Sequence, residues 1–149
     1  TPNEIGVFYG QCAEFCGSAH ALMRFRVHVD STANFDAWVA GQNTPPTTEP
    51  GTAAARGEML FAGCAGCHAI TGTPAQGRIG PDLTLFGERL TLAAGVIDNT
   101  DNNLRKWIGD VRSIKPIPEE TRFMPTFSGS LSDGEISDIA AYLKSLTLN

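Results

Sequence analysis

Cys64-Ala65-Gly66-Cys67-His68 constrains this chain more than any other stretch. Two cysteines two residues apart, followed at once by histidine, read as an attachment site for a c-type haem. Each thiol can form a thioether to one porphyrin vinyl group. The histidine then lies under the ring and offers an imidazole nitrogen to the iron. Ala65 and Gly66 are small, so the backbone can pass close to the porphyrin edge. A thioredoxin-like redox pair or half of a zinc site uses the same cysteine spacing. No βαβ pattern surrounds the pair, and no second C-x-x-C or H-x3-H completes a zinc set of that type. Covalent haem is therefore the reading.

The flanks read as helices. Residues 53–63 form one leading into the motif, with Gly57 and Phe61 four apart on one face beside Leu60. Ser132-Asp133-Gly134-Glu135 reads as a capping box. Ile136, Ile139, Ala140, Leu143 and Leu146 follow it at helical spacing, with Tyr142 beside the stripe. A third helix is expected around residues 102–110, with Leu104, Trp107 and Ile108 inward and Asn103 or Asp101 as its cap. Residues 53–149 resemble a small class I cytochrome c. The resemblance implies that the first and last helices cross where Gly57 and Phe61 meet Ile139 and Tyr142.

Three methionines compete for the sixth iron position: Met23, Met59 and Met124. Met59, five residues before the motif, is expected to pack in the core. Met124 lies in Arg122-Phe123-Met124-Pro125-Thr126-Phe127. The family's axial methionine commonly precedes a proline in such a loop, so the resemblance implies His68/Met124 ligation. A thioether ligand raises the reduction potential relative to two histidines. By the same resemblance the Pro81 carbonyl, in Gly80-Pro81-Asp82-Leu83, orients the His68 ring, as metal-bound imidazoles require. Arg89 and Trp107 become candidates for hydrogen bonds to haem propionates, although Arg89 reads equally as surface and Trp107 as core.

A second constellation precedes the first. Cys12, Glu14, Cys16, His20 and Met23 fall within twelve residues. Soft thiolates with an imidazole and a thioether suit copper. The stretch resembles the dinuclear copper (CuA) loop of cytochrome c oxidase subunit II. That resemblance implies Cys12 and Cys16 as bridging ligands, His20 and Met23 as caps, and the Glu14 carbonyl as a further donor. A strand over residues 5–9, another at 25–29 and a short helix carrying Phe35, Trp38 and Val39 on one face resemble the end of that subunit's cupredoxin domain. The family's second copper histidine, which precedes the first cysteine, is absent from residues 1–11. His28 sits on a strand leading away and is not expected to replace it. Copper is thus expected in the full-length subunit and not in this stretch alone. A disulfide, free thiols, or a zinc site of Cys12, Cys16, His20 and His28 remain alternatives.

Asn43 to Thr52 holds three prolines and no aliphatic side chain, and reads as a semi-rigid extended linker. The organisation is therefore a cupredoxin remnant (1–42), a Pro-rich linker (43–52) and a cytochrome c domain (53–149). The fold class is mainly α, preceded by a two-stranded β plus helix remnant. Hydrophobic residues make up 42% of the 149, enough for a core without disulfides. No basic run points to nucleic acid, and no apolar stretch is long enough to span a bilayer. The stretch itself is thus expected to be soluble, with a membrane anchor upstream of it. Residues 1–51 carry net −3 and residues 52–149 net −2 within the total of −5. Neither half has the charge bias that would identify a partner.

The copper-type loop, the linker and the haem motif in this order resemble subunit II of a caa-type haem-copper oxidase. This implies electron transfer from a soluble donor, a cytochrome or an iron–sulfur protein, through one covalent haem c to CuA. It further implies a place among other oxidase subunits in a respiratory chain, on the outer (periplasmic) face of a bacterial cytoplasmic membrane. The parent complex would reduce oxygen and translocate protons. The chain alone reads as an electron-transfer module without catalytic residues. A free soluble cytochrome c carrier is the alternative, and a haem gas sensor or haem enzyme requires Met124 to leave the iron.

Overall fold

The computed structural model describes residues 2–43, 45–116 and 124–148. Its first part is a hairpin and a helix. Strand β1 (Gly6–Gln11) pairs antiparallel with β2 (Arg24–Val29), with Gly6 opposite Val29 and Gln11 opposite Arg24. Helix α1 (Thr32–Gly41) follows, and Ser31 accepts a hydrogen bond from the Asn34 amide as its cap. In an antiparallel pair, facing residues share a side. Phe8 and Val27 therefore lie with Phe25 on one face, and Tyr9 and Arg26 on the other. The Arg26 guanidinium sits 4.0 Å from the Tyr9 ring centroid. The apolar face is open: Phe8, Phe25 and Val27 are all exposed, as are Phe35, Trp38 and Val39 of α1.

The remainder is a helical module. Helix α2 (Ala53–Leu60) continues as a 3-10 turn, Phe61–Gly63, directly into the cysteine motif. The α-helix thus stops short of residue 63. Strands β3 (Thr91–Leu92) and β4 (Ile97–Asp98) form a small hairpin. Helices α3 (Asp101–Gly109) and α4 (Asp133–Ser145) complete the module. The cap of α3 is Thr100, whose hydroxyl accepts from the Asn103 amide, rather than Asn103 or Asp101. Four consecutive polar residues offered the pattern several choices, and only Thr100 has the extended backbone that a cap needs. At α4 the Ser132–Glu135 capping box is complete.

The core forms where α2 crosses α4. A side chain on Gly57 would strike the Asp138 backbone and come within 2.9 Å of Tyr142 Cβ, so only glycine lets the helices approach this closely. Phe61 meets Tyr142 edge-on at 5.6 Å between centroids. Arg56 clamps the rim with a bidentate pair to Asp138, at 2.7 and 2.8 Å. Ile136, Ile139, Ala140, Leu143, Leu146, Leu104 and Ile108 are all buried in one cluster. Met59 is not in it: it is 71% exposed. Two positions along a helix from Gly57 is about 200° around the axis, on the side away from α4.

The two parts touch. The Arg24 amide donates to the Ala94 carbonyl at 2.8 Å, Gly41 packs against Leu148, and Pro45 of the linker packs against Gly72.

Candidate functional site

His68 is held by a loop folded back across the cysteine motif. The Gly77 amide donates to the Ala65 and His68 carbonyls, and the Ile79 and Gly80 amides both donate to the Cys67 carbonyl. A side chain on Gly77 would sit 2.6 Å from the Cys67 and His68 nitrogens. Gly80 lies flat on the imidazole, where an added carbon would fall 2.7 Å from Nδ1 and closer still to Cε1. Immediately beyond, His68 Nδ1 donates to the Pro81 carbonyl at 2.8 Å. The bond assigns the proton to Nδ1 and leaves Nε2 as a lone-pair donor. The carbonyl is itself braced: the Leu83 amide donates to Ala69, and Asp82 accepts from the Thr84 amide. Thr84 in turn accepts from the Thr71 amide at 3.0 Å.

Cys64 is half-buried and Cys67 exposed, and both thiols are free. Burial pushes the Cys64 thiol up, with Cys67 adding to the rise. The oriented imidazole, the paired thiols beside it and the glycines that clear its flank fit a covalent haem.

Met124 is half-buried in a strap pinned just after it, where the Phe127 and Ser128 amides both donate to the Gly109 carbonyl at 2.9 Å. Arg122 and Phe123 of that loop lie outside the described residues. Trp107 is partly buried against the core. Arg89 donates from Nη2 to the Asp82 carbonyl and lies 5.4 Å from the Phe86 ring centroid. Desolvation lowers its pKa, against a counter-pull from Asp82. Asn99, which the sequence did not single out, ties this corner together. Its side-chain amide nitrogen donates to the Arg89 and Phe86 carbonyls, and its backbone carbonyl accepts from Lys144. Its side-chain oxygen is buried without a partner.

The second constellation also converges. Cys12 Sγ lies 3.4 Å from Cys16 Sγ and 3.2 Å from the Glu14 carbonyl. Cys16 Sγ lies 3.4 Å from Met23 Sδ and 3.7 Å from His20 Nδ1. The loop closes because the Cys12 amide donates to the Met23 carbonyl at 2.9 Å, and a 3-10 turn, His20–Leu22, brings the histidine inward. The Cys12 thiol, hydrogen-bonded to that of Cys16, raises the latter's pKa. His28 stands on β2 opposite Val7, outside the cluster of Cys12, Cys16 and His20.

Residues 54–147 match the family profile of Cytochrome c. This chain belongs to the cytochrome c family. Membership makes that stretch a haem c domain, mainly α, with the small hairpin ahead of it. Residues 1–30 match a second profile, the periplasmic domain of cytochrome c oxidase subunit II. The chain is therefore a subunit II remnant fused to a cytochrome c domain. Among similar proteins, cytochrome c oxidase subunit 2 of Bacillus sp. (strain PS3) is 43% identical over 148 residues, covering 95% of this chain and 40% of that protein. The subunit 2 of Alkalihalophilus pseudofirmus is 39% identical over 97% of this chain and 40% of its own length. That of Bacillus subtilis is 37% identical over 94% and 39%. The chain thus spans about 40% of the length of these relatives. Among the described residues no helix is long and apolar enough to cross a membrane.

Proposed function

We propose that this chain is the electron-entry part of a cytochrome c oxidase subunit II. It takes one electron from an external donor and delivers it to a copper centre in the same subunit. Cys64 and Cys67 tether the haem c, which supplies one-electron chemistry at its iron. His68 Nε2 and Met124 Sδ would hold the iron, with Pro81 fixing the imidazole, and Arg89 and Trp107 would bind the propionates. Cys12 and Cys16, with His20, Met23 and the Glu14 carbonyl, would hold the copper. A second histidine from the longer subunit finishes that centre.

One observation carries this reading: the Glu14 carbonyl, His20 and Met23 each approach the Cys12 or Cys16 sulfur to within 3.7 Å, in the same chain as a pre-oriented haem histidine. The bare apolar face of the β1–β2 ribbon supports it, since such a face requires a second layer. The match of residues 1–30 to the subunit II periplasmic-domain profile supports the rest of a cupredoxin domain as that layer. With both axial positions filled the iron has no open site for a substrate. The role is outer-sphere transfer at the outer face of a bacterial membrane, beside the other oxidase subunits.

Carbon monoxide binding to the reduced, haem-loaded protein tests the assignment. An unchanged visible spectrum is expected, because His68 and Met124 hold both positions. Rapid formation of a carbonyl complex would refute firm Met124 ligation and favour a gas sensor or haem enzyme.

A further inference from the structure

The turn between β3 and β4 holds three consecutive residues in the left-handed region: Ala93 at φ 56°, Ala94 at 61° and Gly95 at 78°. Two are alanines, which avoid that conformation because Cβ crowds the following carbonyl. Strain of this kind persists where the surroundings over-determine it. From below, the buried Leu92 and Ala93 root the turn in the core. From above, the Ala94 carbonyl receives the Arg24 amide at 2.8 Å. Gly95 fits under the same residue with no room to spare, since an added carbon would sit 2.9 Å from Arg24 Cβ and 3.1 Å from its carbonyl carbon. Arg24 is the residue after Met23, a donor of the copper loop.

We propose that the strained Ala93–Gly95 turn is a seat on the haem module for the end of the copper loop. The Met23–Arg24 peptide, hydrogen-bonded to the Ala94 carbonyl, is then the covalent-plus-hydrogen-bond route between the two redox sites. The seat itself needs no metal. Its use as an electron route rests on the copper reading above. With both groups loaded, one electron would pass from ferrous haem to the copper pair, leaving ferric haem; no bond would break and no proton would be required. The linker then keeps the modules together, while the seat selects one of the arrangements that a flexible tether would allow.

Two measurements separate the claims. In the haem-loaded chain, hydrogen exchange at the Arg24 amide should be slowed more than about tenfold against an open strand end. The protection should vanish in Gly95→Val. Arg24→Pro removes the donor from the hairpin side without touching the haem module, and should free the modules in solution scattering. Arg24→Ala keeps the amide and should leave them seated. Unprotected exchange at Arg24 in the unmodified chain overturns the seat. In the copper-loaded full-length subunit, Gly95→Val and Arg24→Pro should slow flash-initiated transfer from haem to copper by about tenfold or more, with both optical spectra unchanged. An unchanged rate overturns the route. If the full-length subunit takes up no copper, the functional reading falls and the route with it, while the exchange result still decides the seat.

Discussion

Gly80→Ala is the sharpest test of how His68, the proposed iron ligand, is tuned. The added methyl would stand 2.7 Å from His68 Nδ1, whereas ordinary contact begins at 3.4 Å. Cε1 stands closer still, so the ring must retreat by about 1 Å or turn. Displaced away from the Pro81 carbonyl by that amount, the 2.8 Å bond lengthens to about 3.8 Å, beyond hydrogen-bond reach. An imidazole that donates from Nδ1 is the more basic iron ligand, and a more basic ligand favours the ferric state. Losing the bond favours the ferrous state and raises the potential. If the bond is worth ~1 kcal/mol more in the ferric form, the rise is about 40 mV for a one-electron couple. A spectroelectrochemical titration of the haem-loaded variant reads it directly. A potential unchanged to within about 10 mV, in a variant with intact His68 ligation, would show that the Pro81 bond does not tune the iron.

Gly57→Ala forces α2 off α4 and spoils the Phe61–Tyr142 contact. The cost should be about 2–4 kcal/mol, seen as a fall in Tm on the order of 10 °C or more by circular dichroism. Burial, with the Glu58 carboxylate adding, pushes the Tyr142 phenol up to about 12 from 10.0. The folded state thus keeps a proton that the unfolded chain gives up first. The contribution is whole below pH ~10 and lost as pH rises toward the folded value. Denaturant titrations should show stability falling across that window, and Tyr142→Phe should flatten the fall. Copper titration of this 149-residue chain should give fewer than two ions per haem, because its residues hold only one of the two copper histidines. Two tightly held coppers per haem would overturn that expectation.

Much of this fold is written locally. The C-x-x-C-H spacing, the Ser132–Glu135 box and the Gly57/Phe61 spacing each act within a turn or two of helix, where neighbours in sequence are neighbours in space. The copper-type loop is likewise local, with all five donors between Cys12 and Met23. What depended on distant chain was harder to read. The β3–β4 hairpin has two-residue strands, too short for any alternation to show. Gly77 is one glycine among 16, and its role exists only because Cys67 and His68 pass beneath it. Asn99 looks like any turn residue until Phe86, Arg89 and Lys144 gather round it. Met59 was hydrophobic and on the right helix, yet its angle around the axis decided its exposure.

All four thiols are free, and those of Cys12 and Cys16 already touch, only one bond's formation away from a disulfide. Closing either pair would remove the ligands or the tethers that the other chemistry needs. In an oxidising compartment that closure is the default fate of neighbouring thiols. On the proposed function, maturation in such a compartment would be a race. Reductant must keep both pairs open at once, and the porphyrin and the metal must arrive before oxygen does.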